Sequence, residues 1–300
     1  MVAITGGPLE LPDVTLCAVD TRTPALALRA LRRSMEAIRF GEVVLVTTPD
    51  TVLPVRDLQG VRRVPIAALS SIEAYSLYML RELLPHVHTS HVLVTQWDGH
   101  VIHPKAWEPG FLSYDYIGAP WYWDREPMVG NGGFSLRSRR LLQALQVLPA
   151  SEPHPEDVRI CLDHRTALER DHALRFAPVD VATRFSYESG PHPGTTFGFH
   201  GIGAWADVLQ APEVDALVRT VPAQLLGGDL GLHLARRLMR QGALHHLLIT
   251  HRLLARRFLA GEIGAEPRRL WWRCIRATWM ALLSVLSAKW RGRPPSGGGT

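Results

Sequence analysis

Several polar residues fall where a chain of this pattern can place chemistry. The apolar run HVLVTQ (91–96) ends in Trp97-Asp98-Gly99, and an earlier run, VTLCAV (14–19), ends in Asp20-Thr21-Arg22. A carboxylate just past a strand can meet a ligand or hydrogen-bond its own turn, and both readings stand for Asp20 and Asp98. Pro155 precedes Glu156 and Asp157, two carboxylates at a helix start, where unpaired amides and the helix dipole favour negative charge. Such a pair can supply a general base or simply stabilise the helix. His200, closing the run TFGFHG (196–201), offers one donor and one acceptor, as a metal ligand or as a hydrogen-bonded side chain.

Gly130-Asn131-Gly132-Gly133 allows the backbone to approach a ligand closely, with the Asn131 amide as donor and acceptor. The alternative is a hairpin turn entering FSLRS. It is not a dinucleotide-binding G-x-G-x-x-G, because Ser135 stands where the last glycine belongs. Just before it, Trp107, Phe111, Tyr114, Tyr116, Trp121, Tyr122 and Trp123 crowd into seventeen residues. Rings on Pro/Gly-punctuated loops suit a polyhydroxylated or aromatic ligand, with about half of them expected to serve as core for the loop itself.

The elements that must position these groups alternate short apolar β-rich runs with helical stretches. VTLCAV is followed by helix 25–38, opened by Thr23-Pro24; VVLVTT (43–48) is followed by helix 72–84, and HVLVTQ comes next. That alternation predicts an α/β fold with a mostly parallel sheet covered on both faces, whose ligands bind past the carboxyl ends of the strands. A helix over 138–148 follows the glycine turn, and RFAPVDVATRFSYES (175–189) reads as β-rich.

Composition limits the alternatives. The chain has 300 residues, 46% hydrophobic and 20% charged, enough for a sizeable core and unlike a disordered or collagenous polymer. Three widely spaced cysteines, Cys17, Cys161 and Cys274, form no C-x-x-C, so neither a disulfide framework nor a thiolate zinc site is legible and a reducing compartment is expected. The first residues, MVAITGGPLELPDVT, lack the basic and apolar regions of a secretory signal, which predicts a cytoplasmic protein. The net charge of +5 is unevenly spread: residues from 230 onward carry thirteen Arg/Lys against two acids, leaving residues 1–229 at −6. A basic tail on an acidic body points to an anionic surface as the tail's partner. Because the aromatic and glycine-rich motifs lie in the acidic part, a membrane is expected rather than nucleic acid.

Taken in order, TQWDG (95–99), YDYIGAPW (114–121), VGNGGFSLRS (129–138), PEDVRIC (155–161), FAPVDVATRFSYE (176–188) and TFGFHG (196–201) resemble a little-characterised bacterial family of glycosyltransferases. More remotely they resemble the β-1,3- and β-1,4-galactosyltransferases of the GT-A fold. The resemblance implies a nucleotide-sugar held past the first parallel strands, its diphosphate on a divalent metal bound by a D-x-D motif. Gln96-Trp97-Asp98 matches that motif, with Gln96 in place of the first carboxylate. His200 matches a late metal-binding histidine, so that Asp98 and His200, with phosphate oxygens, would hold Mn2+ or Mg2+. Asp157, with Glu156 second, matches the carboxylate that deprotonates the acceptor hydroxyl in an inverting displacement. By the same resemblance Asn131, Gly132 and Gly133 would lie against the donor sugar, Asp20 and Arg22 near the nucleoside, and Trp121 and Trp123 would stack on donor or acceptor.

Beyond residue 205 this pattern stops. Residues 224–241 and 243–259 read as helices with apolar faces and Arg pairs. In LWWRCIRATWMALLSVLSAKWRGR (270–293), Arg269, Arg273, Arg276, Met280, Ser284, Ser287 and Arg291 advance by three or four as a mostly polar stripe. Only twelve uncharged residues separate Arg276 from Lys289, short of the ~20 that span a bilayer. An in-plane helix on an anionic membrane is expected, with a domain-packing or oligomer-forming helix as alternative. The expected organisation is an extension over 1–13, a GT-A-like domain over 14–222, a helical extension over 223–267, the surface helix over 268–293 and a disordered tail over 294–300. The functional expectation is a glycosyltransferase that moves a sugar from a nucleotide-sugar, a UDP-sugar favoured, to a glycan or lipid-linked acceptor of bacterial surface polysaccharide, peripheral on the inner face of the cell membrane. The alternatives are a non-catalytic glycan- or membrane-binding protein of the same fold, and a metal-dependent hydrolase using Asp98, His200 and Asp157.

Overall fold

A computed structural model describes residues 7–122, 126–148, 155–192, 194–261 and 265–291. Trp123 and the segment 294–300 lie outside the described residues. The chain divides into two compact units, Met1–Gly201 and Ile202–Thr300, so residue 222, where a boundary was expected, falls within the second.

The first unit is α/β. Its strands and helices run β1 (Leu9–Val19), α1 (Pro24–Met35), β2 (Ile38–Thr47), β3 (Arg62–Pro65), α2 (Ile72–Arg81), β4 (His91–Thr95) and β5 (His100–Val101). Then come β6 (Tyr116–Ile117), β7 (Pro120–Trp121), β8 (Met128–Val129), β9 (Phe134–Ser138) and α3 (Arg139–Leu145). The unit closes with α4 (Glu156–Val158), a π-helical turn over Arg159–Asp163, α5 (Arg165–His172), α6 (Val179–Phe185), β10 (Ser186–Tyr187) and β11 (Gly198–Phe199).

Six strands form the central sheet in the order β3-β2-β1-β4-β9-β6. β3, β2, β1 and β4 are parallel; β9 runs antiparallel to β4, and β6, antiparallel to β9, returns to the direction of the other four. The carboxyl-terminal halves of β1 and β2 and the whole of β4 are buried and nearly all apolar, the composition of strands covered on both faces. α1 covers the sheet with Ala27, Leu28, Leu31 and Ser34, spaced as one helical face. The chain leaves β1 for β2 on one side, and β4 pairs on the other, so a crevice opens past the carboxyl ends of β1 and β4. A smaller sheet, β10-β11-β5, closes against this end: Phe199 pairs with His100 and Tyr187 with Phe199.

Four local expectations need correction. The helix expected over 25–38 ends at Met35, and Ile38 already opens β2. β1 begins at Leu9, inside the expected extension 1–13, because Leu9–Leu11 already pair with Ile38–Phe40 of β2. β3, four residues with a Pro, is too short to leave an apolar pattern of its own. The middle of the stretch expected to be β-rich is α6: Val179, Ala182 and Phe185 recur every three residues, Ala182 and Phe185 are buried, and the Thr183 hydroxyl donates to the Val179 carbonyl at 2.7 Å. Only Ser186–Tyr187 of that stretch is extended as a strand.

The second unit is helical, with α7 (Trp205–Val208), α8 (Ala211–Thr220), α9 (Gly228–Gln241), α10 (Leu244–Leu259) and α11 (Ala265–Arg291). α8 packs on α10, and α9, α10 and α11 pack together. Leu232, Leu234, Leu238, Leu247, Leu253 and Leu254 form its buried face. The first half of α11 belongs to this packing: Leu270 and Cys274 are buried, and Trp271 lies 4.9 Å from the Phe258 ring of α10. Trp272, Trp279, Met280 and Leu283 on the same helix remain exposed. Among the described residues no helix is long and apolar enough to cross a membrane. All three cysteines are free and buried, and burial pushes the Cys17 thiol up to about 12 and that of Cys274 to about 11.

Candidate functional site

The polar groups that lie far apart in the sequence meet past the end of β4. Gln96 follows β4 directly, and its amide nitrogen donates to the Gly133 carbonyl at 2.8 Å, extending the β4–β9 pairing by one step. Its side chain is held at both ends: Nε2 donates to the Tyr75 hydroxyl of α2 at 3.1 Å, and Oε1 lies 3.0 Å from His200 Nε2. Asp98, in the turn between β4 and β5, is buried with Oδ1 3.3 Å from the same His200 nitrogen. Glu188 Oε1 lies 3.2 Å from His200 Nδ1. Trp97, between Gln96 and Asp98, packs against the core and is only half-buried.

This arrangement sets the charge on His200. Burial disfavours a charged imidazole, but Asp98 and Glu188 outweigh it and hold the His200 pKa well above its usual 6.5. A protonated ring donates from Nδ1 to Glu188 and from Nε2 toward Asp98 and Gln96. Because the folded-state pKa is raised, the stabilisation from this charge is complete below pH 6.5 and is lost as pH rises through the folded-state value.

A second cluster adjoins the first through the glycine turn. Asn131 adopts φ of +35°, a left-handed conformation that asparagine tolerates, and its Oδ1 accepts from the Gly133 amide at 3.1 Å. The Gly132 amide donates to Asp157 Oδ2 at 2.9 Å, and Asp157 Oδ1 accepts from the Val158 amide at 2.9 Å. Gly132 and Gly133 are required by contact: a Cβ on Gly133 would overlap the His200 ring, and one on Gly132 would overlap Glu156 Oε1 and come within 3.2 Å of Asp157 Cβ. The turn therefore touches the histidine cluster with one residue and the helix-start carboxylates with the next.

Glu156 points inward. Its Oε1 accepts from Arg137 NH2 of β9 at 3.0 Å, and Arg137 also donates to Ser135 Oγ at 3.0 Å and to the Gly132 carbonyl at 3.3 Å. Arg137 is fully buried and Glu156 is 6% exposed. Burial pushes the Glu156 carboxyl above the usual carboxylate range, with Arg137 pulling against it. The pair fixes the glycine turn from beneath, whereas Asp157, on the next residue, is only partly buried. The π-helical turn after α4 sits immediately beyond these carboxylates, a distortion often found at functional sites.

The remaining expected residues are placed otherwise. Asp20 accepts from the amides of Arg22 at 2.7 Å and Thr23 at 2.6 Å, and from the Thr23 hydroxyl at 2.8 Å. Its carboxylate thus caps the turn into α1, and Thr23 does so only through Asp20, since its own hydroxyl donates to that carboxylate. Arg22 is exposed at the same strand end. Trp121 is 4% exposed, its ring seated on Gly130, where a Cβ would collide with it. Of the crowded rings, Phe111, Tyr116 and Trp121 are core and Tyr122 is exposed.

For a divalent cation the donor set is small but coherent. Asp98 Oδ1 and Gln96 Oε1 stand 3.3 and 3.0 Å from His200 Nε2, near the ~3 Å between adjacent ligands of a six-coordinate ion. These residues fit Mn2+ or Mg2+ in chemistry, provided the His200 proton is displaced and further oxygens come from a ligand. Among the described residues no group of three His, Cys, Asp or Glu side chains could hold a metal alone. Tyr75, Glu188 and Arg137 were not singled out from the sequence. Glu188 and Arg137 lie within the FSYE and VGNGGFSLRS motifs and could have been found there, whereas Tyr75 sits in an ordinary helix.

Two outcomes test this geometry. Arg137→Met leaves Glu156 buried without its partner and should cost about 3–5 kcal/mol in unfolding free energy; adding Glu156→Gln should restore much of it, and an additive double mutant would refute the coupling. In an NMR titration of protein kept free of divalent metal, the His200 ring should titrate well above 6.5, and a midpoint at or below 6.5 would contradict the Asp98–His200–Glu188 pairing.

A family model described as protein of unknown function (DUF5672) matches residues 59–200, which include Tyr75, Gln96, Asp98, Gly132, Gly133, Asp157, Glu188 and His200 but not Asp20 or Arg22. No curated protein matches the chain. Among solved structures, a CMP:2-keto-3-deoxy-manno-octonic acid synthetase complexed with CTP is 12% identical with a TM-score of 0.32, over 55% of this chain and 97% of that one. A 4-diphosphocytidyl-2C-methyl-D-erythritol synthase is 11% identical with a TM-score of 0.27, over 48% of this chain and 82% of that one. Scores of this size bear on neither the reaction nor the ligand of this chain.

Proposed function

We propose that the first unit is a glycosyltransferase of the GT-A kind that moves a sugar, with inversion, from a nucleotide-sugar to a hydroxyl of a glycan or lipid-linked acceptor. A UDP-sugar is the favoured donor and bacterial surface polysaccharide the favoured product, made at the inner face of the cell membrane. The observation that carries this reading is the double contact of the glycine turn: Gly133 lies against the His200–Asp98–Gln96 cluster and Gly132 against Asp157. One end of the crevice thus gathers groups suited to a diphosphate and, one residue away, a carboxylate suited to a proton.

The chemistry asks for both. Attack by the acceptor oxygen forms a bond to the anomeric carbon as the bond to the diphosphate breaks, and the electron pair leaves with the phosphate. Asp157 takes the acceptor's proton; the amides of Gly132 and Val158 hold its two oxygens in place and leave each a further lone pair. The Gly132 and Gly133 backbone, without side chains, leaves room for the donor sugar beside Asn131. Asp98 and His200, with Gln96, would hold Mn2+ or Mg2+, which when bound neutralises charge on the departing diphosphate. Glu156 is a positioning residue, because it reaches Arg137 rather than the crevice. The second unit would provide attachment to an anionic membrane through α11.

Gln96 favours a second reading. An amide already committed to Tyr75 and His200 replaces a carboxylate at the place where the resemblance expects one, which suits a protein that binds a nucleotide-sugar without turning it over.

Asp157→Asn separates the two. Donor turnover by the wild type should fall by about 10²–10⁴-fold in the variant, with donor affinity nearly unchanged. Equal turnover in both proteins would remove Asp157 as the base, and donor binding without turnover in the wild type would establish the binding protein.

A further inference from the structure

The second unit contains a groove of about 600 Å³ between α9 and α11 that the transferase reading does not use. Four arginines line it, Arg236 and Arg240 from α9 and Arg273 and Arg276 from α11, around Met239, Leu270 and Ala277. Each pair is spaced three or four residues apart, so both arginines of a pair share one helix face. Among the described residues no carboxylate lines the groove, and Arg240, Arg273 and Arg276 make no ion pair. The like charges of Arg240, Arg273 and Arg276 on facing helices repel one another, and an anion between them converts that repulsion into attraction. Guanidinium groups bind phosphate oxygens in forked pairs, so a phosphate satisfies several of these donors at once.

The rest of the surface indicates what carries the phosphate. The groove's apolar members give a floor for hydrocarbon next to the charges. On the same helix Trp272, Trp279 and Leu283, which share one side of it, are 67%, 62% and 57% exposed, an apolar stripe that water solvates poorly. A soluble anion would use the arginines and leave the stripe unexplained.

We propose that the α9–α11 groove binds the phosphate head of a lipid, a phosphomonoester or diphosphate lying among Arg236, Arg240, Arg273 and Arg276, with the first carbons of its chain on Met239, Leu270 and Ala277. The inference builds on the membrane attachment proposed for α11; the site is formed within the second unit alone, and its failure would leave the sugar-transfer chemistry proposed for the first unit untouched.

The test uses the full chain and sedimentation with phosphatidylcholine vesicles containing phosphatidic acid. The exposed pair Arg240→Glu with Arg273→Glu should lower vesicle affinity at least about tenfold more than Arg268→Glu with Arg269→Glu, which changes charge equally outside the groove. Unchanged helical circular dichroism of both doubles shows that they fold. Vesicles with charge-matched phosphatidylserine should bind more weakly, and inorganic pyrophosphate should compete only far above the lipid concentration. Equal losses in the two doubles, no loss in either, or equal binding to phosphatidylserine would reduce the effect to diffuse surface charge and overturn the groove. Pyrophosphate binding as tight as the lipid's would overturn the lipid in favour of a soluble anion. If the Arg240/Arg273 double fails to fold, the lipid comparison and the pyrophosphate competition on the wild type still decide.

Discussion

The contact on which the first unit's polar site depends is the approach of the Gly132-Gly133 backbone to His200 on one side and to Glu156 and Asp157 on the other. Neither approach leaves space for a side-chain carbon. Once the turn is that close, the Gly132 amide can hold Asp157, the Gly132 carbonyl can accept from Arg137, and the Gly133 carbonyl can accept from Gln96. Three segments from distant parts of the chain are thereby registered against the end of β4. The turn itself is held by Asn131, whose left-handed backbone lets its own amide side chain accept from Gly133.

Beneath the turn the structure accepts a cost. Arg137 and Glu156 are removed from water, which is unfavourable for two charges unless geometry and further hydrogen bonds compensate. Here the guanidinium reaches Glu156, Ser135 and the Gly132 carbonyl, so the expense is met by fixing the turn from three directions. His200 illustrates the same principle in the other cluster: burial alone would strip its proton, and Asp98 and Glu188 keep it. A cation arriving with a phosphate would meet a carboxylate and an imidazole already held together, at the cost of displacing that proton.

How much of this was legible in the residues depends on whether the signal was local. The strands with uninterrupted apolar runs, β1, β2 and β4, and the helices between them followed from periodicity, because burial on both faces of a parallel sheet leaves little choice of residue. The α6 segment reads as extended because Val179, Val181, Thr183 and Phe185 fall at every second position; the burial of Ala182 with Phe185, three residues apart, decides for the helix. Asp20 looked equally suited to a ligand and to its own turn, and local hydrogen bonding prevailed. Tyr75, Arg137 and Glu188 gain their meaning only from partners brought close by the fold. Gln96 and His200 are 104 positions apart, and no spacing rule connects them.

The central claim, that the crevice past β4 receives a nucleotide-sugar, is tested most directly by thermal melting of the purified chain with UDP-, GDP-, dTDP- and CDP-sugars, each with and without Mn2+. A ligand bound only by the folded state raises stability by ~2.7 kcal/mol at a hundredfold excess over its dissociation constant. The account predicts that one nucleotide class raises the melting temperature with metal present, and that the rise disappears in Asp98→Ala. No shift across the whole panel, or a shift equally large in Asp98→Ala, would contradict it.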